Sequence, residues 1–134
     1  MEVYKVCRKD KGKLKSAMPR LIFQRGKEVF IAQLTYKPGV VTHPKFGKIF
    51  AFDNLTNAKD FVTEYYLLNF EIWSASTPKA EPINIIAADI KYLSPSLISR
   101  LKAFWLGKDC EKTMLAPKGT VVCPNLKLEK LELC

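Results

Sequence analysis

The sequence predicts an α+β fold: a single compact domain over residues 1–134, with a mixed or mostly antiparallel sheet and two helices. Three observations predict it. Residues 46–76 read as strand, helix, strand with almost no spare residues between them. A second capped apolar stripe follows at residues 94–107. Several β-rich runs lie outside both units, so strands and helices are segregated rather than alternating strictly. A chain of 134 residues, 48% of them hydrophobic, is one domain by size and large enough to bury a core.

Taken in order, residues 2–7 alternate about Val3 and Tyr4 and open the chain with a strand. Arg8-Lys9-Asp10-Lys11-Gly12-Lys13 reads as a charged turn, with Asp10 and Gly12 supplying the turn chemistry. Residues 14–18 resume pairing until Pro19 interrupts them. Residues 21–24 and 28–36 are strands, forming a hairpin about Gly26 that carries Arg25 and Lys27 at its tip. Lys37-Pro38-Gly39 is a turn, because Pro presets φ and Gly accepts a positive one. Residues 40–44 are loop or edge strand, since Pro44 cannot donate to a ladder.

The strand at residues 48–53 owes its character to Ile49, Phe50 and Phe52. Asn54 is suited to cap the helix that follows. Leu55, Ala58, Phe61, Val62 and Tyr65 recur at helical spacing, and residues 70–73 return to a period of two. A helix of this length between two strands is a crossover or lies across a sheet. Residues 74–82 read as a surface loop, and residues 83–92 as strand or irregular extended structure.

The second helix starts with Ser94 as cap and Pro95 at its first position, where the missing N–H costs nothing. Leu97, Ile98, Leu101, Phe104 and Trp105 form its stripe, and Gly107 stops it. Residues 108–118 are a polar connection into a Pro117-Lys118-Gly119 turn. Residues 120–123 are a strand, which Pro124-Asn125 breaks. Leu126, Leu128, Leu131 and Leu133 keep period two with a slip at Glu129-Lys130 that a bulge explains. Phe61, Trp73 and Leu101 are expected in a core shared by both helices and the sheet.

Charge is the compositional outlier. The formal net charge is +9, and residues 1–27 hold nine basic side chains against Glu2 and Asp10, which is +7 of it. These cations are Lys5, Arg8, Lys9, Lys11, Lys13, Lys15, Arg20, Arg25 and Lys27. If their elements adjoin, they make one positive field that recruits an acidic partner, nucleic acid or an assembly protein. A solvated lysine-rich loop that only keeps the chain soluble is the competing explanation.

No catalytic or metal signature of high specificity occurs. Cys7, Cys110, Cys123 and Cys134 contain no CxxC, and His43 is the single histidine, so no metal or other cofactor is expected. GxSxG, HExxH, GxxxxGK[ST] and GxGxxG are absent. Glu71 points away from Phe70 and Ile72 and needs no role on a solvent face. Asp53 beside the cap is favoured by the helix dipole. Asp89 sits in an apolar run, where a buried carboxylate would demand a partner. The strand aromatics suit a core better than an open stacking platform. An enzyme is therefore less favoured than an interaction module. The opening residues are charged, and no run approaches the roughly 20 apolar residues a spanning helix needs. A reduced, intracellular setting and no membrane partner are expected.

Residues 36–75, with YKPG, FGKIFAFDNLTNAKDF and EIWSA, form a pattern that resembles small uncharacterised proteins of phages and large DNA viruses. The resemblance implies a viral protein, in host cytoplasm or virion, whose shared motif is structural and carries no transferable activity. The opening Val3-Tyr4-Lys5-Val6 resembles small ADP-ribosyltransferase-like domains, which implies an acid on a late strand, here Glu129. Ser74-Ala75-Ser76-Thr77 departs from that family's Ser-Thr-Ser segment and follows Glu71. Three functions are thus expected in order: a non-enzymatic module binding an acidic partner, an ADP-ribosyltransferase-like enzyme, and a structural subunit of an assembly.

Overall fold

The computed structural model describes residues 1–17, 34–44, 47–87 and 113–134. Its centre is β1 (Glu2–Asp10), which pairs along most of its length with β6 (Phe70–Ser76), from Glu2 opposite Ser76 to Arg8 opposite Phe70. On its other side β1 is shared. Tyr4 pairs with Phe52 of β5 (Ile49–Phe52), while residues 7–10 pair with β2 (Lys13–Ser16). The sheet forks there. One branch continues from β2 to β3 (Thr35–Tyr36). The other continues from β5 to β10 (Thr120–Cys123) and β7 (Glu81–Pro82). Beyond β6 lie β11 (Leu126–Leu133) and β4 (Val41–Thr42). A separate two-stranded sheet joins β8 (Ile85–Ala87) to β9 (Thr113–Leu115). Every pairing among the described residues is antiparallel.

The helix α1 (Leu55–Glu64) connects β5 to β6. Both strands run antiparallel to β1 from opposite sides, so they are parallel to each other and α1 is a crossover passing β1. Asn54 caps it: the Asn57 backbone N–H donates to Asn54 Oδ1 at 2.8 Å. Ala58, Phe61 and Val62 are buried on one sheet face with Val6, Phe52 and Ile72. The rings of Phe52 and Phe61 stand 5.1 Å apart and tilted, a favourable aromatic arrangement. Strand alternation sends Val3 and Cys7 to the opposite face. There they join Tyr36, Ile49, Val121 and Leu128 in a second core.

The expected α+β domain with two helices is corrected. The described residues form a mostly antiparallel sheet carrying a single helix, α1. Strand pairing extends into stretches read as turn or loop: Arg8–Asp10 in β1, residues 74–76 in β6, β7, and β9. Two- and three-residue strands are too short to show a period of two, and the neighbouring backbone decides them. The second predicted helix, with Leu101, lies outside the described residues, as do the Gly26 hairpin and Asp89. Phe61 is buried as expected, and Trp73 is half-buried. The register slips between Leu128 and Lys130 and again between Leu131 and Leu133, which places the expected bulge in β11.

Candidate polyanion interface

The β1–β2 ribbon turns through Lys11 and Gly12 alone. Their φ values are 51° and 80°, the paired left-handed conformation of a tight hairpin turn whose twist matches its strands. Gly12 adopts this without cost, whereas Lys11 carries a Cβ there. The turn fixes the register: Arg8 opposite Lys15, Lys9 opposite Leu14, and Asp10 opposite Lys13.

That register sorts the nine predicted cations. Arg8, Lys13 and Lys15 share one face with Asp10, because cross-strand partners and alternate residues project together. Lys9 projects from the other face, and Lys11 occupies the turn. Lys9, Lys11 and Lys13 are exposed, while Arg8 and Lys15 are half-buried. Lys15 Nζ donates to Asp10 Oδ2 at 3.1 Å. That bond, and then the surrounding positive charge, holds the Asp10 carboxyl below its usual range. Lys9 Nζ lies 3.6 Å from Glu71 Oε2. Residues 8–15 thus retain five cations against one acid, with Glu71 partly offsetting Lys9. Arg20, Arg25 and Lys27 lie outside the described residues.

Lys5 does not join them. It is only 7% exposed, projecting between Val3 and Cys7 into the second core. Its Nζ donates to the Phe50 carbonyl at 2.6 Å and stands 5.3 Å from the centre of the Tyr36 ring. A lysine in phase with Val3 and Cys7 lies on an apolar strand face, and that phase was the available signal. Around it is a polar group that sequence reasoning missed. Ser16 and Tyr36 are buried, and Ser16 Oγ accepts the Leu34 N–H at 3.1 Å. Glu71 does lie opposite Phe70 and Ile72, yet that face is buried. Its Oε1 accepts from Trp73 Nε1 at 2.9 Å. Burial pushes the Cys7 thiol up to about 12, with Glu71 adding to the rise and Lys5 opposing it. Such a thiol stays protonated and unreactive at neutral pH.

The remaining candidates have structural partners or open surroundings. Asp53 Oδ1 accepts from Asn57 Nδ2 at 2.8 Å, a more specific role than a dipole contact. Glu129 is exposed, and its Oε1 accepts from Ser76 Oγ at 2.7 Å and lies 3.3 Å from Lys127 Nζ. His43 is exposed. Among the described residues no group of three or more His, Cys, Asp or Glu side chains could hold a metal ion. Among them, too, no helix is long and apolar enough to cross a membrane. Comparison with protein-family models, curated proteins and solved structures gives no match.

Proposed function

We propose that the protein is a non-enzymatic interaction module that binds an acidic macromolecule, nucleic acid, through the β1–β2 ribbon. One observation carries this reading: a two-residue turn holds Lys9, Lys11 and Lys13 exposed at the end of a ribbon anchored in the central strand. Ammonium groups on a rigid ribbon meet phosphates without reading bases, and each contact releases counterions. Lys5 has no part in this contact, because its ammonium is inside the protein. An intracellular setting belongs to the same reading and is supported by the free thiols of Cys7, Cys123 and Cys134.

The test is an anisotropy titration against oligonucleotides at two salt concentrations. The log–log slope is expected at about −0.7 to −0.9 per phosphate contacted. Replacing Lys9, Lys11 and Lys13 together with Ser should flatten it. A slope unmoved by that triple substitution would place the contact elsewhere.

A further inference from the structure

The ribbon's exposed lysines are divided between both of its faces and its tip. Lys13 projects with Asp10 from one face, Lys9 with Leu14 from the other, and Lys11 stands in the turn between them. Among the described residues no strand flanks residues 10–13 on either side. One neighbour ends where Arg8 pairs with Phe70 and the Lys9 N–H donates to the Asn69 carbonyl at 2.7 Å. The other ends where Leu14 pairs with Tyr36. A Cβ on Gly12 would meet no described atom within 4 Å, so the tip stands in open space. The acids on the two faces are already engaged. Asp10 Oδ2 accepts from Lys15 Nζ at 3.1 Å. Glu71 lies below its lysine: the Lys9 side chain is 57% exposed and the Glu71 side chain 11%, and Trp73 Nε1 donates to the carboxylate at 2.9 Å. Glu71 thus offsets part of the Lys9 charge and anchors that side chain to its own face of the ribbon.

We infer that the polyanion is double-stranded DNA, whose major groove the ribbon enters tip-first; this rests on the ribbon reading above. Cations on two opposite faces match phosphates on two facing walls, and a duplex groove supplies such walls already ordered. A single strand carries one line of phosphates. To meet Lys9, Lys11 and Lys13 together it would have to fold around the tip and lose conformational freedom, which weakens binding. The dimensions agree. The B-form major groove is about 12 Å wide and about 8.5 Å deep, and it admits a two-stranded ribbon. A ribbon is about 10 Å thick between side-chain layers, and two residues per strand beyond the Lys9–Leu14 pair advance it about 7 Å. A two-residue turn keeps the tip no broader than its strands. Lys9 then meets one wall and Lys13 the other, with Lys11 leading. The B-form minor groove and the A-form major groove of RNA are too narrow for this entry.

The experiment uses four labelled ligands, each about 20 nucleotides long per strand, or two helical turns. They are a DNA duplex, the same duplex with a neutral glucosyl group on 5-hydroxymethyl cytosines, one of its strands alone, and an RNA duplex. The glucosyl groups fill the major groove and leave every phosphate in place. Polyglutamate serves as competitor. The plain DNA duplex should bind about tenfold or more tighter than each of the other three. Lys9→Gln and Lys13→Gln should each take about 0.9 off the salt slope on that duplex, because each lysine meets its own wall. Thermal midpoints measured alongside separate binding from folding. Glucosylated duplex bound as tightly as the plain one would overturn groove entry and leave the ribbon reading standing. A slope moved by only one of the two substitutions, with both variants folded, would do the same. Single strand or RNA duplex bound as tightly as the DNA duplex would overturn the assignment to double-stranded DNA. Polyglutamate displacing the duplex at equal charge would assign the face to an acidic protein. No binding of any ligand at low salt would overturn both readings.

Discussion

Asn57 donates its side-chain amide to the Asp53 carboxylate at 2.8 Å, and Gly119 lies directly against this pair. The Asp53 N–H in turn donates to the Gly119 carbonyl at 2.9 Å. Helix start and β9–β10 turn are therefore one assembly. A Cβ on Gly119 would meet the Asn57 amide and the Asp53 carboxylate at once, and Gly119 has a φ of 80°. Gly119→Ala pays both backbone strain and overlap. It should lower stability by about 2 kcal/mol or more, read as a shifted denaturation midpoint at constant slope. Gly39→Ala is the control. Its φ of 78° carries similar strain, but nothing lies within 4 Å of its Cβ, so its loss should be smaller.

The Asn54 cap gives a second expectation. Its Oδ1 satisfies the Asn57 N–H, one of the helix's orphan donors. Asn54→Ala should cost about 0.5–2 kcal/mol, and Asn54→Asp should cost little because it keeps the acceptor. A midpoint unchanged in Asn54→Ala would show that the Asp53–Asn57 contact alone fixes the helix start.

Much of the central unit was legible because its signals are local. The Asn54 cap, the apolar spacing of α1 and the alternation of β5 and β6 each lie within a few residues of one another. The Lys37-Pro38-Gly39 turn likewise appears, with Val40 N–H donating to Lys37 O at 3.0 Å. What was not legible depends on distant neighbours. Strand β7 exists because Val121 and Val122 lie opposite Pro82 and Glu81. Lys5 looks like a solvent-face residue until Phe50 O and the Tyr36 ring meet it, and Glu71 until Trp73 and Lys9 do. The Schellman motif that ends α1, with Leu67 N–H on Val62 O, Tyr66 N–H on Thr63 O and a φ of 50° at Tyr66, was hidden because its usual glycine is missing. The charge asymmetry was plain from the sequence, but only the Lys11-Gly12 turn shows which cations share a face.

Burial of Cys7 sets a pH dependence. Its folded thiol is raised to about 12 from an ordinary value of 9.0. Between these values the unfolded chain loses this proton first, so ionisation favours unfolding. The stabilisation is fully present below about pH 9 and is lost as pH rises through about 12. Stability to urea should therefore fall on the alkaline side. Buried Tyr36, also raised by desolvation, adds to the fall at higher pH. Cys7→Ala should make the decline between pH 9 and 11 shallower, whatever it costs at pH 7. An unchanged alkaline decline in Cys7→Ala would show that the thiol is solvated in the native state.

Lys5 separates charge that is counted from charge that can bind. Its ammonium has desolvation to offset, and it recovers this through one short bond to Phe50 O and the Tyr36 ring. Methionine fills similar volume, needs no hydration and keeps contact with the ring. Replacing a buried charge by an apolar side chain of like size is often neutral or stabilising. Lys5→Met should hence fold with a stability within about 1 kcal/mol of the parent, whereas Lys5→Ala should lose more through its cavity. Neither should change the salt slope for oligonucleotide binding, because no phosphate reaches that ammonium. Lys11→Ser removes the same formal charge from the surface and should reduce the slope by up to one contact. Measured side by side at two salt concentrations, Lys5→Met and Lys11→Ser each lack one cation of the parent chain. A slope lowered by Lys5→Met and not by Lys11→Ser would show that the inner face opens to the ligand, and would move the binding surface off the ribbon.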